Sequence, residues 1–147
     1  MNTIRKTIAF LALASTLVAF NANASERVDP RAEAARQYTV NAYISALSSG
    51  DVSDVEKLFD NNVKFDIKGN QKQFSFGKKE MIDFMKTTKN VVQQDCKTSF
   101  DWIETDASDV AVAKITQNYP EFTRTNYVTM VFNGNDWKIT HVQTLFN

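Results

Sequence analysis

The stretch that most constrains this chain is Phe122 to Phe146. A Thr-, Tyr- and Val-rich run, the turn sequence Asn133-Gly134-Asn135-Asp136 and a second alternating run specify a β-hairpin. Side chains of a strand alternate between its two faces. With a loop of two or four residues, even positions before the turn therefore share a face with odd positions after it. One face then carries Phe122, Arg124, Asn126, Val128, Met130 and Phe132 with Trp137, Ile139, His141, Gln143 and Leu145. The other carries Thr123, Thr125, Tyr127, Thr129 and Val131 with Lys138, Thr140, Val142, Thr144 and Phe146. A three-residue loop would set Lys138 beside Met130 and is rejected. Arg124, Asn126, His141 and Gln143 thus fall in the middle of an otherwise apolar inner face, framed by Trp102, Trp137 and Met130. Apolar walls with a few convergent polar groups are what a small-molecule pocket is made of.

Residues 1–24 have the pattern of a secretory signal: Arg5 and Lys6, an apolar run from Thr7 to Phe20, and the small-residue site Ala22-Asn23-Ala24. Cleavage is expected before Ser25. The apolar run is short of the ~20 residues that span a bilayer, and no cysteine follows it to take a lipid anchor. Residues 25–147 then form one domain of roughly 120 residues with one core. Charges balance at 17 basic and 17 acidic residues over the full chain. Loss of Arg5 and Lys6 leaves the mature protein slightly acidic, a balance that favours neither nucleic acid nor an anionic membrane as partner. Cys96 is the only cysteine, so no disulfide forms within a chain and packing must supply stability. Its expected place is as a small buried hydrophobe.

Along the chain, Arg31 to Ser49 lacks Gly and Pro and spaces Val40, Tyr43, Ile44 and Leu47 as one helix face, with Gly50 as its stop. A second short helix capped by Asp51 or Ser53 is expected to bury Val55, Leu58 and Phe59 and to break at Asp60-Asn61-Asn62. Val63, Phe65 and Ile67 alternate with Lys64, Asp66 and Lys68 as a half-buried strand, and a short strand follows at Gln73 to Phe76. A third helix runs from Lys78 to about Lys89, with Met81, Ile82 and Met85 inward and its lysines solvated. From Cys96 the period is two. A hairpin turning near Thr105 to Ser108 is expected to set Trp102 against Ala111, Phe100 against Ala113 and Thr98 against Ile115. Helices first and long strands last give an α+β fold. The expected form is a curved antiparallel sheet of about five to six strands wrapped around the N-terminal helices, a cone with an internal cavity.

The helix passage Tyr43-Ile44-Ser45-Ala46-Leu47-Ser48-Ser49-Gly50-Asp51, the Leu58-Phe59 to Val63-Lys64-Phe65 passage, the helix start Gly77-Lys78-Lys79-Glu80 and the closing Trp137-Lys138-Ile139 strand carry a family resemblance. Together they resemble the nuclear transport factor 2-like superfamily, the cystatin-like cone, over most of residues 31–147. The chain is most similar to small exported bacterial members labelled putative lumazine-binding. The resemblance implies the cone and, for many members, a homodimer, here through the outer sheet face with Thr125, Tyr127, Thr129, Val131, Thr140, Val142 and Phe146. Isomerase, dehydratase and cyclase members imply a base inside the cone, for which His141 is the candidate, with Arg124 or Asn126 stabilising an oxyanion. Asp66 and Asp101 alternate away from the core, so no acid–base pair is expected inside unless a strand bulges. No metal-ligand spacing, phosphate-cradling Gly-rich loop or nucleophile-elbow serine is present, so no cofactor is expected. The expected function is non-catalytic binding of a small polar-aromatic ligand. The alternatives are an enzyme of this superfamily and a structural homodimer with a filled cavity.

Overall fold

In the computed structural model of the chain, the described residues are 29–69, 72–89, 95–103, 105 and 107–147. The expected signal segment, with its cut before Ser25, lies outside them. The first helix, α1 (Pro30–Ser49), starts where a cap and a proline coincide. The Asp29 carboxylate accepts from the Arg31 amide at 2.9 Å, and Pro30 occupies the first turn, where no intrahelical amide bond is lost. It stops at Gly50, whose φ of 68° is left-handed and whose N–H reaches the Ala46 carbonyl. A Cβ on Gly50 would lie 2.4 Å from the backbone nitrogen of Lys89. Glycine here therefore both turns the chain and lets another segment approach. The buried side of α1 is Thr39, Val40, Ala42, Tyr43 and Ala46.

The expected second helix is replaced by a run of turns over residues 53–58, with Val55 and Leu58 buried. Strand β1 (Phe59–Gly69) begins immediately afterwards, so Asp60-Asn61-Asn62 lie inside a strand rather than at a helix end. Their polarity is accommodated by an irregularity: pairing holds at Phe59 and resumes only at Lys64. Strand β2 (Lys72–Phe76) and helix α2 (Lys78–Thr87) follow, with Met81, Ile82 and Met85 buried as their spacing requires. The Glu80 carboxylate accepts from the Gly77 amide at 2.9 Å and satisfies one of the free donors at the start of α2. Strands β3 (Lys97–Ile103), β4 (Val110–Asn118), β5 (Thr123–Phe132) and β6 (Trp137–Phe146) complete the chain.

The strands form one curved, unclosed sheet in the order β2-β1-β6-β5-β4-β3, and the helices cover its inner face. Every pair joined by a short connection is antiparallel, but β1 lies parallel to β6, so the sheet is mixed. These two strands are far apart in sequence, with four other strands of the sheet and a helix between them, and no hairpin dictates their direction. The core is the inner face, with Val63, Phe65, Ala111, Ala113, Ile115, Val128, Met130, Trp137, Ile139 and Val142 closed over by α1 and α2.

Two registers differ from expectation. Trp102 pairs with Ala113, Phe100 with Ile115 and Thr98 with Gln117, two residues on from the expected partners. The connection is longer than four residues, and a shift of two leaves every side chain on its face. In the last hairpin Phe132 faces Trp137 across Asn133 to Asp136, as expected. Met130 pairs with Ile139, yet the preceding Thr129 pairs with His141, which leaves Thr140 as an extra residue. Its hydroxyl donates to the Thr129 carbonyl at 3.4 Å. This β-bulge reverses the alternation of everything after it. Val142 and Thr144 are therefore buried inward, whereas His141, Gln143 and Leu145 belong to the outer face. The inward placement of His141 and Gln143 and the outward placement of Val142 are both corrected by this one residue.

Candidate ligand site

Three adjacent strands carry polar side chains to one end of the inner face. Gln117 of β4 pairs with Arg124 of β5, and Asn126 of β5 pairs with Thr144 of β6. Arg124 donates through Nε to Gln117 Oε1 at 2.8 Å and through Nη2 to the Tyr119 hydroxyl at 3.3 Å. No acid pairs with it among the described residues. Thr144 Oγ1 donates to Asn126 Oδ1 at 2.8 Å and so turns the amide nitrogen the other way. That nitrogen is buried and has no hydrogen-bond partner among the described residues. An unsatisfied donor of this kind costs about 1–3 kcal/mol.

Tyr43 of α1 is buried under the sheet with its ring 6.3 Å from that of Phe59. Burial pushes its phenol well above the usual tyrosine range, with the charge of Arg124 pulling the other way. Tyr119 is raised too, again by burial first and against Arg124. Both hydroxyls are thus neutral donors at neutral pH. Outside Arg124 stands an aromatic rim, where Tyr119 stacks on Phe122 at 4.5 Å and Phe122 meets Phe146 at 6.0 Å. Beside it an open depression of about 460 Å³ is lined by Asp95, Cys96, Lys97, Asn118, Tyr119 and Pro120. Cys96 is half-buried there rather than enclosed in the core, its sulfur 3.7 Å from Thr98 Oγ1.

The remaining sequence candidates lie elsewhere. Met130 is six residues from Arg124 along one strand, about 20 Å at strand rise. With it, Trp137 donates its indole N–H to the Ala32 carbonyl at 2.9 Å, and Trp102 lies 4.2 Å below the Arg36 guanidinium, which also pairs with Glu33. Trp102, Trp137 and Met130 therefore pack the first half of α1 and do not frame the polar cluster. On the outer face, His141 Nε2 lies 2.8 Å from Asp66 Oδ2. Hydrogen bonds from His141 and then Ser75 hold the Asp66 carboxyl below the ordinary carboxylate range. Gln143 is exposed next to Asp66. An acid–imidazole pair thus does form, on the side away from Arg124.

Gln117 and Thr144 were not singled out from sequence. Gln117 had a usable signal, since it ends the strict series Ala111, Ala113, Ile115 on one face. Thr144 had none, because its inward direction depends on the bulge at Thr140.

Solved structures of similar shape carry the same fold. An NTF-2-like protein of unknown function from Silicibacter pomeroyi matches with a TM-score of 0.64 at 14% identity, over 78% of this chain and 95% of that one. An NTF2-like protein of unknown function from Shewanella baltica gives 0.65 at 13% identity, over 80% and 94%. A protein with a cystatin-like fold from Caulobacter vibrioides gives 0.57 at 15%, over 80% and 90%. No curated protein matches the chain. Residues 31–146, from the first turn of α1 to the last residue of β6, match the family described as "Putative lumazine-binding", and the chain belongs to that family.

Proposed function

We propose that this protein is an exported, non-catalytic binding domain that holds a small polar-aromatic ligand at the Arg124 end of the cone. The observation that carries the reading is a guanidinium without an acid partner near a buried amide nitrogen without an acceptor, both among the described residues. Both groups gain from a ligand that brings oxygens, and the rim of Tyr119, Phe122 and Phe146 offers flat apolar area to its ring. The family description points the same way, since lumazine is a planar heteroaromatic with ring carbonyls. A thermal-shift screen of lumazine, other heteroaromatics and aromatic carboxylates tests it. A compound at a hundred times its dissociation constant should stabilise the protein by about 2.7 kcal/mol. A screen in which nothing shifts the unfolding transition contradicts the reading.

The enzyme alternative with His141 as base loses its support, because His141 pairs with Asp66 on the outer face. Turnover in the cone would need a different base. We further infer a homodimer through the outer face of β5, where Tyr127, Thr129 and Val131 are partly covered and point away from the core. Val142 and Phe146 drop out of that surface, since the bulge turns both to the inner side. Sedimentation at micromolar concentration should give a dimer that Thr129→Lys disrupts; a monomer in the parent contradicts it. Export rests on residues 1–24, and mass spectrometry of the exported fraction should find Ser25 as the first residue rather than Met1.

A further inference from the structure

We propose that the ligand at this site is an organic anion, a planar acid whose carboxylate or enolate oxygens sit between Arg124 and Asn126. The proposal rests on the binding reading above and adds a sign and a polarity to it.

Each hydrogen bond inside the cluster occupies an acceptor oxygen, while several of its N–H donors stay without a partner among the described residues. Gln117 Oε1 is committed to Arg124 Nε, Asn126 Oδ1 to Thr144, and the Tyr119 oxygen accepts from Arg124 Nη2. Only two of the five guanidinium N–H groups have these partners. The Asn126 amide nitrogen has none among the described residues and is fully buried. A ligand entering this end therefore meets N–H groups and one fixed positive charge. An acid satisfies both, and its charge-assisted bonds to the guanidinium are the strong kind. An ammonium group is repelled by Arg124 and finds no carboxylate in the cluster among the described residues. The carboxylate nearest this end among the lining residues is Asp95, which is exposed in the adjoining depression together with Lys97. It does not cancel the charge of Arg124.

Three probes that share one ring and differ in one group decide the matter: naphthalene-2-carboxylate, naphthalene-2-carboxamide and naphthalen-2-ylmethylamine, each titrated calorimetrically into the protein at pH 7. The carboxylate should bind about tenfold or more tightly than the carboxamide, the factor that one charge-assisted hydrogen bond represents, and the amine should not bind. Arg124→Gln should weaken the carboxylate more than the carboxamide and so remove the carboxylate's advantage. Arg124→Lys should restore part of it, because charge is kept while the planar fork is lost. Equal affinities for the three probes, tightest binding by the amine, or an Arg124→Gln change that weakens all probes alike overturns the anion assignment and leaves the binding reading standing. Failure of the carboxylate to bind overturns the anion assignment, while the binding reading is decided separately by the thermal-shift screen.

Discussion

The two strands of the final hairpin differ in a way that decides the chemistry of each face. Strand β5 keeps its alternation from Thr123 to Phe132, so Arg124, Asn126, Val128 and Met130 share one face. Strand β6 has the same length and the same half-polar composition, but the extra residue at Thr140 divides it into two segments of opposite parity. Before the bulge, Trp137 and Ile139 are inward; after it, Val142 and Thr144 are. One inserted residue therefore exchanges an imidazole and a carboxamide for a valine and a threonine on the inner wall. It also brings His141 to Asp66 on the other side. Polar residues near the middle of a strand are not by themselves evidence of a site: the same count of residues, displaced by one, gives a surface hydrogen-bonded pair instead of a pocket wall.

The comparison breaks most easily at adjacent positions of β6. Val142→Asp buries a carboxylate without a partner and should cost on the order of 4 kcal/mol or prevent folding. Gln143→Asp, one residue on, should stay within about 0.5 kcal/mol. Urea unfolding of the two variants reads this directly, and the reverse order would mean that β6 runs without a bulge.

A smaller effect sharpens the inner half of the comparison. Thr144→Val leaves Asn126 Oδ1 buried without its donor and should cost about 1–3 kcal/mol. Adding Asn126→Leu removes the orphaned amide altogether and should recover much of that loss, while ligand binding is lost in both. Recovery of stability together with loss of binding would identify Asn126 as a residue kept for the ligand. A double variant no more stable than the single one would give it a structural role.

The smallest effect belongs to the outer face. Asp66 has a folded-state pKa below its unfolded value, so its contribution is fully present above the ordinary carboxylate range and is lost as pH falls through the folded value. The pair is partly exposed, with 42% of the His141 and 24% of the Asp66 side chain accessible. Asp66→Asn should therefore cost less than about 1 kcal/mol near neutral pH. The difference between parent and variant should vanish on acidification, as followed by chemical unfolding between pH 6 and 2. A gap that widens at low pH would contradict the assigned direction.

Much of the architecture was legible because it depends on periodicity. The Val40, Tyr43, Ile44 and Leu47 side of α1, the Met81, Ile82 and Met85 side of α2 and the Asn133 to Asp136 turn follow from spacing and turn chemistry alone. A two-residue slip in the β3–β4 register cost nothing, since it preserves faces. Two features lacked a local signal. The parallel pairing of β1 with β6 joins distant segments, and the bulge at Thr140 is a decision made by pairing partners rather than by the residue itself. The site inherited both: Arg124 and Asn126 were visible on the regular strand, Thr144 was hidden behind the bulge, and His141 and Gln143 were placed on the wrong side of it.

The most direct test of the account compares one compound from the thermal-shift screen across three proteins: the parent, Arg124→Gln and His141→Gln. At a hundred times its dissociation constant the compound should stabilise the parent and the His141 variant equally, by about 2.7 kcal/mol, and should fail to stabilise the Arg124 variant. Loss of the shift in His141→Gln with its retention in Arg124→Gln would place the ligand against the outer face and contradict the site described for the inner one.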